Sequence, residues 1–313
     1  MRVIFMGTPD FAVPSLEALC AHGHTVAGVL TQPDRPKGRG MKAAFSPVKE
    51  AALRLGLPVY QPETLRDHAI LPLLEETKPD VAVVVAYGKI LPGYVLRYPK
   101  YGCVNVHGSL LPKYRGAGPI QAAVINGDTE TGVTTMMMAR GVDTGDMLLS
   151  ASTPIGPDDT AETVHDRLMQ LGAQTLLRTL EAFENGTAVR VPQNDAEATH
   201  APMLSREDGC MDWTLSAAAL YNRARGMTPW PGSFTYAGGA VLKLAGIRPD
   251  AAVSDAAPGT LLVSGGELRV VCGDGHTLRI GSVQPAGKRM TPVADFLRGN
   301  TLPERFEPAP AHE

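Results

Sequence analysis

A chain of 313 residues, 44% hydrophobic and 19% charged, is long enough for two domains with buried cores and too apolar to remain disordered. A formal net charge of −3 excludes a protein that coats nucleic acid non-specifically, though not one with a local basic patch. Cys20, Cys103, Cys210 and Cys272 stand far apart with no CxxC pair, which argues against a zinc knuckle or a disulfide framework and suits a reducing compartment.

RVIFM (2–6) predicts a buried strand, and the turn Gly7-Thr8-Pro9-Asp10 follows it. A helix begins near Val13, with Pro14 in its first turn and Gly23 as its stop. TVAGVL (25–30) is a second strand, and SPVKEAALRL (46–55) a helix with Ser46 as cap and Pro47 at its first position. A short strand at 58–60 and a helix over 67–76 lead to DVAVVVAYG (80–88), an unbroken apolar strand suited to the centre of a parallel sheet. Further strands are expected at 103–107, 132–138 and 146–153, with helices at 117–125 and 160–185, the last closed by Gly186.

This alternation predicts an α/β domain with a Rossmann-like, mostly parallel sheet over 1–188. Residues 189–206 lack a period and read as a linker. Residues 207–302 open with a helix at 214–226 and continue as short strands broken by Gly and Pro, as in a small antiparallel barrel. Residues 303–313 read as a loose tail. No apolar run reaches the roughly 18 residues of a membrane span, and the N-terminal run is too short for a signal peptide, so a cytoplasmic protein without a membrane partner is expected.

A dinucleotide site is disfavoured because GTPDF supplies one glycine where the fingerprint needs three. Asn105 and His107 end a strand of the parallel sheet, where ligands of such sheets bind, and a spacing of two puts their side chains on one side. Two polar residues satisfying a turn would look the same. Asp143, in RGVDTGD after the next long strand, adds a carboxylate flanked by Gly141 and Gly145. An amide donor, an imidazole and a carboxylate on successive strand ends suit acyl transfer without a covalent nucleophile. Ser109, the nearest hydroxyl, lacks a G-x-S-x-G elbow, and His107 with Asp143 and Asp146 is a weak metal set.

Longer runs sharpen this. MGTPDFAVPSLEAL (6–19), TQPDRPKGRG (31–40), AYGKILP (86–92), NVHGSLLPKYRGAGPIQ (105–121), GVDTGDML (141–148), MTPWPGSFT (227–235) and VQPAGKRM (283–290) resemble the methionyl-tRNA formyltransferases over almost the full length. That is the tRNA-directed branch of the 10-formyltetrahydrofolate-dependent formyltransferase family. The resemblance implies a Rossmann-like domain followed by an OB-like barrel, 10-formyltetrahydrofolate as co-substrate without a metal, methionyl-initiator tRNA as acceptor, and a monomer. It implies that Asn105 and His107 donate to the oxygen of the transferred formyl group while Asp143 orients His107 and helps move the proton. It assigns the folate pocket to Tyr87, Gly88, Lys89, Ile90 and Leu91, with Ser109, Leu110, Leu111 and Pro112. The basic loop of Arg35, Lys37, Arg39 and Lys42 would contact tRNA phosphates, together with Arg223, Lys288 and Arg289 of the second domain. Lys113 and Arg115 stay open between the glutamate tail, the acceptor stem and solvent. Two departures stand out: Met203 where the family usually carries Lys, and a second domain neutral overall. Sugar-nucleotide and glycinamide-ribonucleotide formyltransferases and formyltetrahydrofolate hydrolases would share the Asn-His-Asp core but are expected to lack the basic loop and the WPGSF second domain. A non-catalytic tRNA- or folate-binding protein would make no turnover depend on Asn105.

Overall fold

The structure, a computed structural model, describes the backbone of residues 1–37 and 42–307, and the side chains of all of these except 35–37, 42 and 43. The described residues form two compact units. The first comprises Met1–Pro119, Glu130–Pro154 and His165–Pro202; the second comprises Ile120–Thr129, Ile155–Val164 and the chain from Met203 onward.

In chain order the first unit holds β1 (Arg2–Gly7), α1 (Val13–Ala21), β2 (Thr25–Leu30), a hairpin of β3 (Arg35–Lys37) and β4 (Lys42–Ala44), and α2 (Pro47–Arg54). Then come β5 (Val59–Tyr60), α3 (Leu71–Thr77), β6 (Val81–Val85), α4 (Gly93–Arg97) and β7 (Cys103–His107). After α5 (Pro119–Ile125), which falls mostly to the second unit, the first unit resumes with β8 (Glu130–Met137), β9 (Met147–Pro154) and most of α6 (Ala161–Glu184). One seven-stranded sheet results, in the order β5-β2-β1-β6-β7-β8-β9. The first five strands are parallel, and β8 and β9 join antiparallel.

Local chemistry explains the elements. Ser46 accepts a hydrogen bond from the amide of Lys49 and caps α2, with Pro47 at its first position, as expected. Strand β6 is buried along its whole length, which its all-apolar VAVVV requires at the sheet centre. At Gly7 a Cβ would sit 2.8 Å from Ala12 Cβ and 3.1 Å from the Val85 carbonyl. This glycine therefore serves helix–strand packing, consistent with the absence of a dinucleotide fingerprint.

The second unit contains α7 (Ala217–Gly226), β10 (Ser233–Ala237), β11 (Ala240–Ala245), β12 (Arg248–Val253), β13 (Leu261–Ser264), β14 (Glu267–Val271), β15 (His276–Ile280), β16 (Ser282–Pro285), β17 (Thr291–Pro292) and α8 (Val293–Leu297). Its strands are antiparallel, in two four-stranded sheets ordered β10-β11-β16-β17 and β12-β15-β14-β13. Leu220, Tyr221 and Ala224 of α7 share a core with Leu242, Leu268, Leu278 and Val283 from the strands. Ser216 caps α7 through the amide of Ala219.

Several expectations need correction. The helix predicted over 67–76 starts only at Leu71, because Asp67 and His68 adopt φ of 52° and 59°. The predicted tail is not loose up to Glu307: Phe306 is buried, its ring 5.7 Å from that of Trp213, and Arg305 and Glu307 bridge to Thr260 and Tyr236. Residues 308–313 lie outside the described part. Residues 189–202 are no free linker, since polar side chains and amides lace them onto the first unit.

Candidate active site

β7 brings the first two candidate residues together. Asn105 pairs with Val84 of β6 on one side and Met136 of β8 on the other, and His107 lies opposite Thr134. The two point to one face of the sheet, as a spacing of two dictates. Asn105 is 9% exposed and His107 6%. The carboxamide of Asn105 has no hydrogen-bond partner among the described residues, yet it is not sealed from solvent. A buried amide normally finds a partner, and here both N–H donors are left open for one.

His107 is oriented by its own loop. Its Nε2 lies 2.9 Å from the carbonyl oxygen of Tyr114. A carbonyl only accepts, so Nε2 carries the proton and Nδ1 holds the lone pair in the neutral ring. Nδ1 lies 3.6 Å from Asp143 Oδ2, an ion-pair distance longer than a direct hydrogen bond. The expected trio is therefore assembled, with one amendment: Nε2 of His107 is committed to Tyr114 and is not a second donor to an oxyanion.

Asp143 sits in a loop that the sequence alone does not shape. It adopts φ of 52°, in the left-handed region that costs a non-glycine residue about 1–2 kcal/mol. Its Oδ2 accepts from the amide of Gly116 at 2.9 Å. Gly145 must be glycine, because a Cβ there would fall 1.7 Å from the carbonyl oxygen of Met137. From the other side, Gln193 donates through Nε2 to the carbonyl oxygens of Asp143 and Gly145, at 2.8 and 2.7 Å. Sequence reasoning missed Gln193 because residues 189–206 carry no periodicity to read.

The SLLP turn is shaped by Thr134. Its Oγ1 accepts from the amide of Leu111 at 3.1 Å and donates to the carbonyl of Ser109 at 2.8 Å. Ser109 is fully buried and donates its hydroxyl to the carbonyl of Lys113 at 2.6 Å, so it is no nucleophile. In the 87–91 loop, Tyr87 and Leu91 turn into the core beneath the sheet. Burial pushes the Tyr87 phenol up to about 12, and its hydroxyl finds no partner among the described residues. Lys89 caps the carbonyls of Pro62 and Glu63. Only Ile90, 87% exposed, offers an apolar side chain outward. Gly88 and Ala86 carry positive φ and leave main chain at the loop surface.

An open groove of about 690 Å³ adjoins the Asp143 loop, also unforeseen from the sequence. Leu96, Met137 and Met138 supply apolar wall, while Arg97, Arg140 and Arg190 have no ion-pair partner among the described residues.

Of the cations expected to meet RNA, Arg39 lies outside the described residues. Arg35, Lys37 and Lys42 are described as the paired backbone of β3 and β4. The base of that hairpin is clamped by Asp34, which accepts from Lys49 Nζ at 2.5 Å and from Gln61 Nε2 at 2.8 Å. Those hydrogen bonds, Lys49 first, hold the Asp34 carboxyl below its usual range. In the second unit Lys288 and Arg289 are exposed, whereas Arg223 donates to the carbonyl of Asp208. Of the alternatives left open for Arg115, solvent is excluded: it is 5% exposed, with its guanidinium on Gln193 and Asp195.

Among the described residues no three His, Cys, Asp or Glu side chains group as a metal site, and no helix is long and apolar enough to cross a membrane. The family model described as formyl transferase matches residues 1–180, and that of the formyl transferase C-terminal domain matches 203–301. The methionyl-tRNA formyltransferase of Caldanaerobacter subterraneus subsp. tengcongensis is 49% identical, covering 97% of this chain and 98% of that protein. The methionyl-tRNA formyltransferase of Acidobacterium capsulatum is 50% identical over 96% and 97%. Among solved structures, the N-formyltransferase of Helicobacter canadensis with folinic acid and dTDP-3-aminofucose has a TM-score of 0.68 at 17% identity, covering 91% of this chain and 99% of that one. HypX of Aquifex aeolicus in complex with tetrahydrofolic acid has a TM-score of 0.61 at 17% identity, covering 95% of this chain and 47% of that one. These two likenesses are of fold.

Proposed function

The chain belongs to the methionyl-tRNA formyltransferases of the formyl transferase family, and from that premise we propose that Asn105, His107 and Asp143 carry its reaction. The reaction is transfer of the formyl group of 10-formyltetrahydrofolate to the α-amino group of methionyl-initiator tRNA. The observation that carries the residue assignment is the unpartnered carboxamide of Asn105 held beside His107 on β7.

The amine nitrogen attacks the formyl carbon, and negative charge gathers on the formyl oxygen as the new C–N bond forms. Asn105 donates to that oxygen from a rigid strand and a site largely closed to water, where such a donor contributes about 3 kcal/mol or more. With Nε2 held by Tyr114, Nδ1 of His107 is the base that takes the proton the amine loses. The imidazolium so formed faces the Asp143 carboxylate at 3.6 Å, which stabilises it. The same proton passes to N10 as the bond from N10 to the formyl carbon breaks. One proton leaves one nitrogen and arrives on the other, and no electrons are exchanged.

The 87–91 and 109–112 loops follow the carboxyl ends of β6 and β7, which supports them as the pocket for an aromatic co-substrate beside this centre. The β3–β4 arm, with Arg35, Lys37, Arg39 and Lys42, serves the acceptor stem, aided by Lys288 and Arg289. All three reacting residues come from one chain, which supports a monomer as the working unit, in the cytoplasm where charged tRNA is found. The test is formylation by purified protein of methionyl-initiator tRNA, against elongator tRNA and free methionine. Formylation of the charged initiator alone is expected; formylation of neither tRNA overturns the reading.

A further inference from the structure

We infer that Gln193 is a positioning residue for the transfer reaction: with Arg115 it holds the main chain of the loop that presents Asp143 to His107. The inference rests on the proposed roles of Asn105, His107 and Asp143.

The argument starts from donor and acceptor counting. A glutamine amide has two N–H donors and one carbonyl oxygen. Both donors of Gln193 are used on carbonyls of the Asp143 loop, those of Asp143 and Gly145. Its oxygen takes two parallel bonds from Arg115, from Nε at 3.0 Å and Nη2 at 2.9 Å. Arg115 is a buried cation, which is costly to keep unless paired, and its other partner, Asp195, is largely exposed. Gln193 is thus the half-buried acceptor for Arg115 and the only side chain, among the described residues, that hydrogen-bonds the carbonyls of both Asp143 and Gly145.

These bonds close a ring. Gly116, the neighbour of Arg115, donates to the Asp143 carboxylate, while Arg115 itself reaches the Asp143 main chain through Gln193. One stretch of chain therefore fixes both the carboxylate and the backbone that carries it. The ring is anchored by main-chain bonds between Arg115 and residues 199–201, Arg115 N–H to the carbonyl of Thr199 and Ala201 N–H to that of Arg115, both at 2.8 Å. Tyr114, whose carbonyl orients His107, donates its amide to Thr199 Oγ1 at 2.8 Å. Asp143 needs such bracing because its positive φ persists only where the surroundings over-determine it.

The test compares Gln193→Ala and Gln193→Glu with Asp143→Asn in formylation of methionyl-initiator tRNA. Gln193→Glu keeps the shape and an acceptor for Arg115 but turns oxygen toward two carbonyls, so it removes the bracing without emptying the site. Both Gln193 variants should lose kcat, on the order of a hundredfold, with KM for tRNA and folate little changed. In an Asp143→Asn background neither should cost more than about twofold further, because Gln193 acts through Asp143. A wild-type kcat in Gln193→Glu, or losses that multiply with Asp143→Asn, would overturn the inference. Failure of Asn105→Ala and Asp143→Asn to lower kcat would instead remove the underlying site reading.

Discussion

The ring of His107 directs Nε2 to the carbonyl oxygen of Tyr114 at 2.9 Å, and so can meet Asp143 only through Nδ1, at 3.6 Å. Asp143→Asn keeps the shape and an acceptor for the Gly116 amide while removing the charge that the imidazolium needs. We expect kcat to fall at least about a hundredfold with both KM values held within about threefold. Steady-state kinetics on both substrates check this, and an unaltered kcat would leave His107 without an electrostatic partner.

Asn105→Ala should cost about a hundredfold to a thousandfold in kcat, the scale of one oxyanion donor. The melting temperature should hardly move, because the carboxamide makes no hydrogen bond among the described residues that the substitution could break. Thermal unfolding beside the kinetics separates the two effects. A large fall in melting temperature would assign Asn105 a structural role.

Asp34→Ala should loosen the base of the β3–β4 arm, since Lys49 and Gln61 both donate to that carboxylate. The expected result is a KM for methionyl-initiator tRNA raised several-fold, with kcat and the folate KM unchanged. Equal KM values for tRNA in both proteins would detach the arm from acceptor binding.

Stability should fall in alkali. Burial pushes the thiols of Cys103 and Cys272 up to about 12, first among the causes for each, and the Tyr87 phenol likewise. Free thiols titrate near about 8.5 and free phenols near about 10. Folded groups raised in this way keep protons that the unfolded chain gives up, so stability is full below about pH 8.5 and declines as pH rises toward 12. For the deeply buried Cys103 the slope is about 1.4 kcal/mol per pH unit at most. Denaturant unfolding between pH 8 and 11 should show a shallower decline for Cys103→Ala; an identical slope would count against its burial as thiol.

Much of the site is legible in the sequence because it lies in regular elements. A period of two on β7 puts Asn105 and His107 on one face wherever that strand is placed, and VAVVV at 81–85 demands the sheet centre beside it. Ser46 and Pro47 announce their helix through backbone chemistry confined to four residues. Gln193 and Arg115 are different. Their hydrogen bonds span 78 residues, and no local pattern distinguishes an irregular strap from a solvated linker. Tyr87 shows the converse, since a residue in a family loop points its ring into the core and gives its carbonyl to Thr8 and Gln32.

By itself the sequence determined the alternation of elements, the antiparallel second part, and an amide, an imidazole and a carboxylate set near strand ends. Periodicity and capping act over a few residues, so one dimension suffices to read them. Only the tertiary structure decided which nitrogen of His107 is free, that Arg115 is buried, and that residues 191–201 brace Asp143. Those outcomes depend on which donors and acceptors distant parts of the chain bring within about 3 Å of one another.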